Sequence, residues 1–416
     1  MESREELKDK FERCRSLGLK LNIQRGQPSP ENLALSDPML TILKPGETTT
    51  AQGIDLRNYP GGPAGLGEAR EILSPLLGVR PEELMVGNNS SLKLLADLLK
   101  WALLAGLGDT PVPWVRGKPK ILVPVPGYDR HFTLLDSLGF EMIPVPLEGD
   151  GPDLDRVEKI AASDPEVKGL LFVPTYSNPT GETTSDEKIR RLAAMRCAAP
   201  DFTLFADEAY RIHHLYKPGR PVRSALNLLS SCREAGNPHR AYLFGSTSKI
   251  TFAGAGIGCL ASGTENLARL SRLFGAEFIG PNKIEQYRHV LFLRSYPGGM
   301  EGLMKDHGAI LRPKFEAAEG VLERELGGTG LARWTNPEGG YFINLTAAGP
   351  FARRTVALAE ELGVSLTPAG AAFPHGRDPE DAHIRIAPTR PPVEEVVQAM
   401  EILCLCLKLA SLEGGS

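Results

Sequence analysis

The chain has 416 residues, 42% of them hydrophobic, and its 47 Lys and Arg residues nearly balance 51 Asp and Glu residues, for a formal net charge of -4. This length predicts two or three domains and excludes a small disulfide scaffold or a single binding module. The charge balance argues against nucleic acid and anionic membranes as partners, because no basic field is available to neutralise phosphates.

The first 45 residues comprise a predicted helix and a proline-rich segment that are too few to fold alone. We expect segment 1–45 to pack with one of the larger units, the small domain. Its charged start, MESREELKDKFERC, has no apolar signal region, and the longest apolar stretch, residues 399–410, is too short to span a bilayer. The sequence therefore predicts a cytoplasmic protein.

A helix start with anion-binding character follows in VGNNSSLKLLADLL, residues 86–99. Glycine and small polar residues stand directly before an apolar helical run there. The free N–H groups and the dipole of such a helix start suit an anion. Taken alone, the motif predicts no more than an ordinary helix N-terminus.

The middle of the chain alternates apolar strands with helices. One such helix, SDEKIRRLAAMR, has Ser185 as its predicted N-cap. The pattern predicts an α/β fold with a buried, mostly parallel sheet in a large domain over residues 46–296. The predicted strands are residues 120–126, 140–147, 169–175, 202–208, 241–247 and 257–263.

From about Pro297 the pattern changes to long helices, then isolated strands in GYFINLT and HIRIAPT, then a final helix from about Val393. This predicts a smaller α+β domain over residues 297–416. Cys404 and Cys406 lie inside the last helical run, so we interpret them as buried thiols.

Three successive strand ends carry polar groups of different chemistry. Asn178 follows one strand in YSNPTG, Asp207 and Tyr210 follow the next in DEAY, and Ser248 and Lys249 follow a third in GSTSK. Ligands of open parallel sheets bind beyond the carboxyl ends of strands. The ordered set therefore predicts one shared site.

A phosphorylated pyridine aldehyde with a ring hydroxyl would use all of these groups. A lysine amine forms a Schiff base with the aldehyde, a carboxylate holds the protonated ring nitrogen, and phenol and amide donors bond the ring oxygen. Serines and the helix start would hold the phosphate. His213 and His214 lack a third spaced ligand, so we predict a structural role and no metal site.

At these motifs the sequence resembles the fold-type I, class I pyridoxal-phosphate aminotransferases over almost the whole chain. LNIQRGQPSPENLALSDPML and FGSTSKITFAGAGIG resemble their aspartate aminotransferase-like subgroup. The resemblance implies the PLP-dependent transferase fold, with a mostly parallel seven-stranded sheet in the large domain. It also implies pyridoxal 5'-phosphate as cofactor and a homodimer with shared active sites.

The resemblance also assigns roles to residues. Lys249 would be the Schiff-base lysine and proton shuttle, and Asp207 would pair with the ring nitrogen. Tyr210 and Asn178 would bond the ring oxygen, and Tyr128 in PVPGYDRHF would stack on the ring.

The phosphate and substrate groups are assigned in the same way. Tyr59 in RNYPGGPAG would reach the phosphate of the partner subunit. Arg385 in HIRIAPTR would receive the substrate α-carboxylate with Asn178 beside it, and Gly26 would line the entrance. The residues expected around the phosphate are Asn88, Asn89, Ser90, Ser246 and Ser248.

One position departs from the class pattern. The family places a phosphate-binding arginine eight residues after the lysine, where this chain has Ile257. Either neutral donors suffice or a cation approaches from elsewhere. No position matches the second arginine that selects dicarboxylic substrates, and Arg25 and Arg288 are candidates for it.

The leading hypothesis is an aminotransferase that moves an amino group between an amino acid, aspartate or glutamate, and a 2-oxo acid by a ping-pong mechanism. A β-lyase or decarboxylase would keep the same cofactor and residues. A non-enzymatic regulator would carry a winged helix DNA-binding domain ahead of these motifs, whereas only residues 1–24 precede RGQPSP.

Overall fold

The computed structural model describes residues 3–59, 62–108 and 111–414, so Pro60 and Gly61 of the RNYPGGPAG motif lie outside the described residues. The β-strands are β1 (Leu21–Asn22), β2 (Leu84–Val86), β3 (Lys120–Val125), β4 (Glu141–Pro146), β5 (Val167–Phe172), β6 (Thr203–Asp207), β7 (Ala241–Ser246), β8 (Gly258–Ala261), β9 (Ala332–Trp334), β10 (Ile343–Ala347), β11 (Val364–Ser365) and β12 (His383–Ile386). The α-helices are α1 (Arg4–Ser16), α2 (Pro30–Ala34), α3 (Gly67–Leu77), α4 (Ser91–Ala105), α5 (Asp129–Ser137), α6 (Leu154–Ser163), α7 (Asp186–Ala194), α8 (Leu228–Glu234), α9 (Thr264–Gly275), α10 (Lys283–Ser295), α11 (Gly299–Leu326), α12 (Ala352–Glu361) and α13 (Val393–Gly414).

A seven-stranded sheet with the order β2-β8-β7-β6-β5-β3-β4 forms the centre of the fold. The strands from β7 to β4 pair in parallel, and only β8 pairs antiparallel with its neighbours β7 and β2. The predicted mostly parallel sheet is therefore confirmed. The six apolar runs became β3 to β8, whereas the three-residue edge strand β2 is too short to show a pattern in the sequence.

Successive residues of each central strand enter different hydrophobic cores. Leu204 and Ala206 pack with α3, α6, α7 and α8 on one side of the sheet. Phe205, between them, packs with α4, α5 and α9 on the other side. This alternation follows from the two-residue period of a strand, and it buries both faces of the sheet between helices. At α7, Ser185 is the N-cap and accepts a hydrogen bond from the Lys188 amide, as its sequence predicted.

A three-stranded antiparallel sheet, ordered β12-β10-β9, belongs to another core. The N-terminal segment contributes to this core through Leu7, Phe11 and Ile23. Strand β1 pairs in parallel with β11. Segment 1–45 thus packs in part with the C-terminal elements, because its apolar side chains have no core of their own.

Helix α11 contributes to two cores. Leu303 and Met304, near its start, pack with the large sheet, and Leu311 and Phe315 pack with the C-terminal core. The division into segments 1–45, 46–296 and 297–416 stays a prediction. Of the helices in the described ranges, none has the length and apolar character needed to cross a membrane.

Candidate active site

A cavity of about 480 Å³ lies beyond the carboxyl ends of the parallel strands. Its wall combines residues that follow β3, β5, β6 and β7, four neighbouring strands, with residues of the N-terminal segment and of the C-terminal elements. The cavity is lined by Gln24, Arg25, Gly26, Gln27, Tyr128, Asp129, Arg130, Asn178, Tyr210, Lys249, Phe342, Thr367, Pro368, Ala371 and Arg385. Six of the residues predicted from the sequence (Gly26, Tyr128, Asn178, Tyr210, Lys249 and Arg385) therefore meet here.

Lys249 projects its amine into this cavity from the turn after β7. Its Nζ lies 5.0 Å from the centre of the Tyr210 ring. Two threonines of this turn are hydrogen-bonded to helix α10. The hydroxyls of Thr247 and Thr251 each lie 2.9 Å from Nε2 of the buried His289. The Tyr341 hydroxyl also donates to the Lys249 carbonyl oxygen at 3.3 Å. The backbone beneath the amine is thus fixed by buried hydrogen bonds.

Asp207, the last residue of β6, is buried with only one of its carboxylate oxygens bonded. Oδ2 lies 2.9 Å from Nε2 of His131 on α5. Oδ1 is buried and has no hydrogen-bond partner among the described residues. A buried polar atom without a partner is costly and calls for an explanation. A cationic N–H group of a ligand would satisfy this oxygen.

Two tyrosines on the cavity wall stay protonated at neutral pH. Burial raises the pKa of Tyr210, and the nearby Asp207 carboxylate raises it further. Burial is also the main reason why the pKa of Tyr128 rises to about 12. Their hydroxyls therefore remain hydrogen-bond donors. The Tyr128 ring contacts His131 edge to face, with ring centres 4.9 Å apart.

Arg385, from β12, reaches the same cavity and is largely buried. Its Nη1 donates to Oδ1 of Asp129 at 2.9 Å and to Oδ1 of Asn178 at 3.2 Å. Its Nε and Nη2 donate to the Thr367 hydroxyl at 3.2 and 3.1 Å. The guanidinium also stacks over the Phe342 ring at 5.0 Å. A planar fork of this kind suits a carboxylate.

The N-terminal segment reaches the cavity because it is tied to the C-terminal elements. Thr367 donates to the Gln24 carbonyl and Thr389 to the Gln27 carbonyl, both at 2.8 Å. Gly26 lies so close to Phe342 that a Cβ would come within 2.5 Å of that ring. Arg25 is exposed beside it. Only glycine allows this approach without moving the ring.

The residues predicted to surround a phosphate gather around the strand β8 instead of lining this cavity. The Ser248 amide donates to the Ser246 hydroxyl at 3.4 Å, and a Cβ on Gly258 would lie 2.7 Å from the Ser90 carbonyl carbon. Ser90 is the N-cap of α4, yet its hydroxyl makes no capping hydrogen bond. The Ser248 hydroxyl is buried without a partner among the described residues.

Asn88 and Asn89 lie beside these serines with their side chains already engaged. Asn88 Oδ1 accepts from the Asn282 amide, and Asn89 Nδ2 donates to the Ala253 carbonyl, both at 2.8 Å. The side chain of Ile257 is buried in the core and offers no charge to a phosphate. The described part of this region thus offers neutral donors and the start of α4.

Two other predicted residues lie away from the cavity. Tyr59 is 82% exposed and does not line it. Arg288 donates through Nε and Nη2 to the Met39 carbonyl and pairs with Glu285 at 2.9 Å. The Arg288 side chain is thus engaged by Met39 and Glu285 and does not line this cavity.

The two histidines after DEAY, His213 and His214, lie among aromatic side chains. His213 is buried between the rings of Tyr210 and Tyr341, with ring centres 6.0 and 5.5 Å away. Burial holds its pKa well below the usual value. His214 lies 2.7 Å from the Tyr176 hydroxyl, and burial lowers its pKa to about 4. Both imidazoles are therefore neutral.

The residues present fit a phosphorylated pyridine aldehyde. The bare Asp207 oxygen suits a protonated ring nitrogen, and the Lys249 amine suits an aldehyde. The Ser248 hydroxyl and the close approach of Gly258 to the start of α4 suit a phosphate. These observations are consistent with pyridoxal 5'-phosphate as the group that this site holds.

Sequence reasoning missed several residues of the site, among them Asp129, Arg130, His131 and Thr367. His131 and Asp129 belong to PVPGYDRHF, a motif from which only the aromatic Tyr128 was selected. Thr367 has no motif that marks it. Asp129 and His131 follow Tyr128 directly at a predicted strand end, and this position was a signal in the sequence. Thr367 could be found only from the fold.

Comparison with known proteins agrees with this geometry. The profile of the family described as "Aspartate amino-transferase" matches residues 1–415. An aspartate aminotransferase of Corynebacterium glutamicum is 41% identical over 410 residues, which cover 98% of this chain and 94% of that protein. A Mycolicibacterium smegmatis protein named as an aminotransferase is 45% identical over 95% of this chain and 92% of its own.

Solved structures show the same fold. The crystal structure of an aspartate transaminase of Corynebacterium glutamicum superposes with a TM-score of 0.94 at 40% identity, covering 99% of this chain and 96% of that one. The α-aminoadipate aminotransferase of Thermus thermophilus, complexed with N-(5'-phosphopyridoxyl)-L-leucine, superposes with a TM-score of 0.76 at 23% identity, covering 95% and 93%. At that identity the second match bears on the fold alone.

Proposed function

Since this chain belongs to the aspartate amino-transferase family and is an aminotransferase, we propose that it moves the amino group between aspartate or glutamate and a 2-oxo acid. Its cofactor would be pyridoxal 5'-phosphate, and the two half-reactions would follow a ping-pong order. The proposal is carried by one observation: Lys249 and Arg385 line one cavity. An amino acid bound in this cavity could place its α-carboxylate on Arg385 and its α-carbon beside the Lys249 amine.

Each residue has a task that follows from its surroundings. When bound, the cofactor supplies an aldehyde that receives amino groups and a ring that withdraws electrons. The Lys249 Nζ would take the proton from the substrate α-carbon and later return one. The hydrogen bonds of Thr247, Thr251 and Tyr341 would hold its backbone in place. Asp207 would keep the ring nitrogen protonated through Oδ1, while His131 orients the carboxylate through Oδ2.

The remaining groups orient the reactants. Tyr210 stays a phenol because burial and Asp207 raise its pKa, so it would donate a hydrogen bond to the ring oxygen. Asn178 bonds to Arg385 and would connect that oxygen with the substrate carboxylate. Tyr128 would cover one face of the ring. Arg385 would bind the α-carboxylate through its planar fork.

Neutral donors would hold the phosphate. We assign this role to Asn88, Asn89, Ser90, Ser246 and Ser248, together with the first N–H groups of α4. Of these, the Ser248 hydroxyl has the strongest support, because it is buried with no partner among the described residues. Ile257, at the position where the family has its phosphate-binding arginine, is buried in the core and offers no cation, so the proposed phosphate donors are neutral.

The enzyme would act as a homodimer in the cytoplasm. In such a dimer Tyr59, which is 82% exposed and does not line its own cavity, would reach the phosphate held by the second subunit. The six cysteines are all free thiols, which agrees with a reducing compartment.

Two arginines at the mouth of the cavity support an acidic substrate. Arg25 and Arg130 both line the cavity and are exposed. Within residues 3–59, 62–108 and 111–414, neither guanidinium takes part in an ion pair. Arg385 already serves one carboxylate, so a second carboxylate on the substrate side chain would meet these two charges. Aspartate and glutamate carry that second carboxylate.

Arg25→Met and Arg130→Met should each lower kcat/KM for aspartate by about fivefold, since an exposed ion pair contributes up to about 1 kcal/mol. Steady-state kinetics with aspartate and alanine would measure the change, and alanine should be unaffected. Arg156→Met, at an exposed arginine of α6 outside the cavity, is the control. Equal losses for both substrates would contradict side-chain selection by these arginines.

A panel of amino acids tests the proposed function as a whole. The purified holoenzyme is mixed with each amino acid, and the spectrum reports conversion of the bound cofactor to its amine form. We expect rapid conversion by aspartate and glutamate, and reversal by 2-oxoglutarate or oxaloacetate. If only alanine or aromatic donors react, the substrate assignment is wrong. Release of more than one equivalent of product per bound cofactor, without any 2-oxo acid acceptor, would indicate a lyase.

A further inference from the structure

Asp129 accepts a hydrogen bond from the Arg385 guanidinium, the group to which a substrate carboxylate would bind. Its Oδ1 lies 2.9 Å from Nη1 of Arg385, and both side chains line the same cavity. Asp129 is the first residue of α5, and its side chain is 31% exposed, against 9% for Arg385. A carboxylate of this protein therefore lies where a carboxylate of the substrate is expected.

The donors of Arg385 can be counted. A guanidinium has five N–H groups. Nη1 uses both of its N–H groups on Asp129 and Asn178, and Nε and Nη2 each use one on Thr367. One N–H of Nη2 remains among the described contacts. A carboxylate that binds through two parallel hydrogen bonds must therefore displace a present partner.

Asp129 is the partner that an incoming carboxylate would displace. Asn178 and Thr367 are neutral and would not repel a second anion. Asp129 is negatively charged, and two carboxylates on one guanidinium repel each other. Its partial exposure also allows it to regain water when it leaves. Arg25 and Arg130 line the same cavity and offer it cationic neighbours.

We propose that Asp129 is an internal competitor that holds Arg385 in the absence of substrate and is displaced by the substrate α-carboxylate. The inference rests on the proposed function, because it takes Arg385 as the α-carboxylate receptor. In the unliganded protein Asp129 neutralises a largely buried charge that would otherwise be unpaired. Its competition then sets how tightly the site binds any carboxylate.

Asp129→Asn tests the competition, because asparagine keeps the shape and a hydrogen-bond acceptor but removes the charge. Calorimetric titration of the holoenzyme with succinate, and separately with benzoate, would measure affinity for carboxylates. We expect both ligands to bind at least about fivefold more tightly to the variant, equal to ~1 kcal/mol. The KM of the Asp129→Asn variant for aspartate should also be lower than that of the natural protein. Asp129→Ala should behave alike.

Two variants serve as controls. Asp136→Asn makes the same chemical change on the same helix, on a side chain that is 63% exposed, and should leave both affinities unaltered. Arg385→Lys should weaken both ligands, because it removes the planar fork.

The outcomes separate this inference from the proposed function. If the natural protein binds both carboxylates and Asp129→Asn binds them no more tightly, Asp129 only orients Arg385 and the inference is wrong. If neither protein binds either ligand, Arg385 is not a carboxylate receptor, and the proposed function and the inference both fail.

Discussion

Lys249→Ala should lose at least about 10⁴-fold of the transamination rate. That factor is the upper end of what a positioned acid or base contributes, and here the same amine would also hold the cofactor covalently. Nothing else can take over, since the described lining of the cavity contains no second lysine. The rate of each half-reaction and the absorbance of the lysine-bound cofactor would measure the loss.

Two comparisons guard this test against misfolding. Lys44→Ala changes an exposed lysine outside the cavity and should retain both the rate and the absorbance. Added ethylamine should partly restore the Lys249→Ala rate, because a small amine fits the space that the side chain leaves. A Lys249→Ala protein that is active and keeps the cofactor absorbance would refute the role of this residue.

Asp207→Asn should lower kcat/KM by about 10²- to 5 × 10³-fold. Removing one partner of a buried charge pair costs about 3–5 kcal/mol, and the ring nitrogen would lose its anionic partner. Oδ1 is the atom that matters, because Oδ2 already bonds to His131. We also expect the variant to release cofactor during dialysis. Steady-state kinetics and the cofactor absorbance after dialysis would measure both effects.

Asp201→Asn is the matched control for this variant. Asp201 is also a buried carboxylate, near the start of β6, and it bonds to Trp114 Nε1 at 2.7 Å and to Lys168 at 2.8 Å. Its loss should lower the free energy of unfolding without a specific loss of rate. If both variants lose rate and stability to the same extent, Asp207 has only a structural role.

Much of the candidate site could be predicted from local sequence. Apolar runs with turn residues after them located β3 to β8, because the two-residue period and the turn chemistry are properties of a few neighbouring residues. Asn178, Asp207 and Lys249 could then be read at consecutive strand ends. Neighbouring strands in a parallel sheet bring their carboxyl ends together, so the shared site followed from the pattern alone.

Other features depended on the tertiary structure. Strand β2 has three residues and β9 also has three, which is too short for any period to show. Arg25 and Arg288 were equal candidates in the sequence. Packing separated them, because Arg288 meets the Met39 carbonyl while Arg25 lines the cavity.

The sequence by itself determined the chemical groups of this enzyme and their order along the chain. It could not determine which residues contact these groups and orient them, because the contacts join segments that are distant in the chain. Asp207 is 76 residues from His131, and Arg385 is 256 residues from Asp129. Such contacts exist only after separate hydrophobic cores have packed against one another. That packing places a carboxylate of the protein on the arginine that a substrate needs.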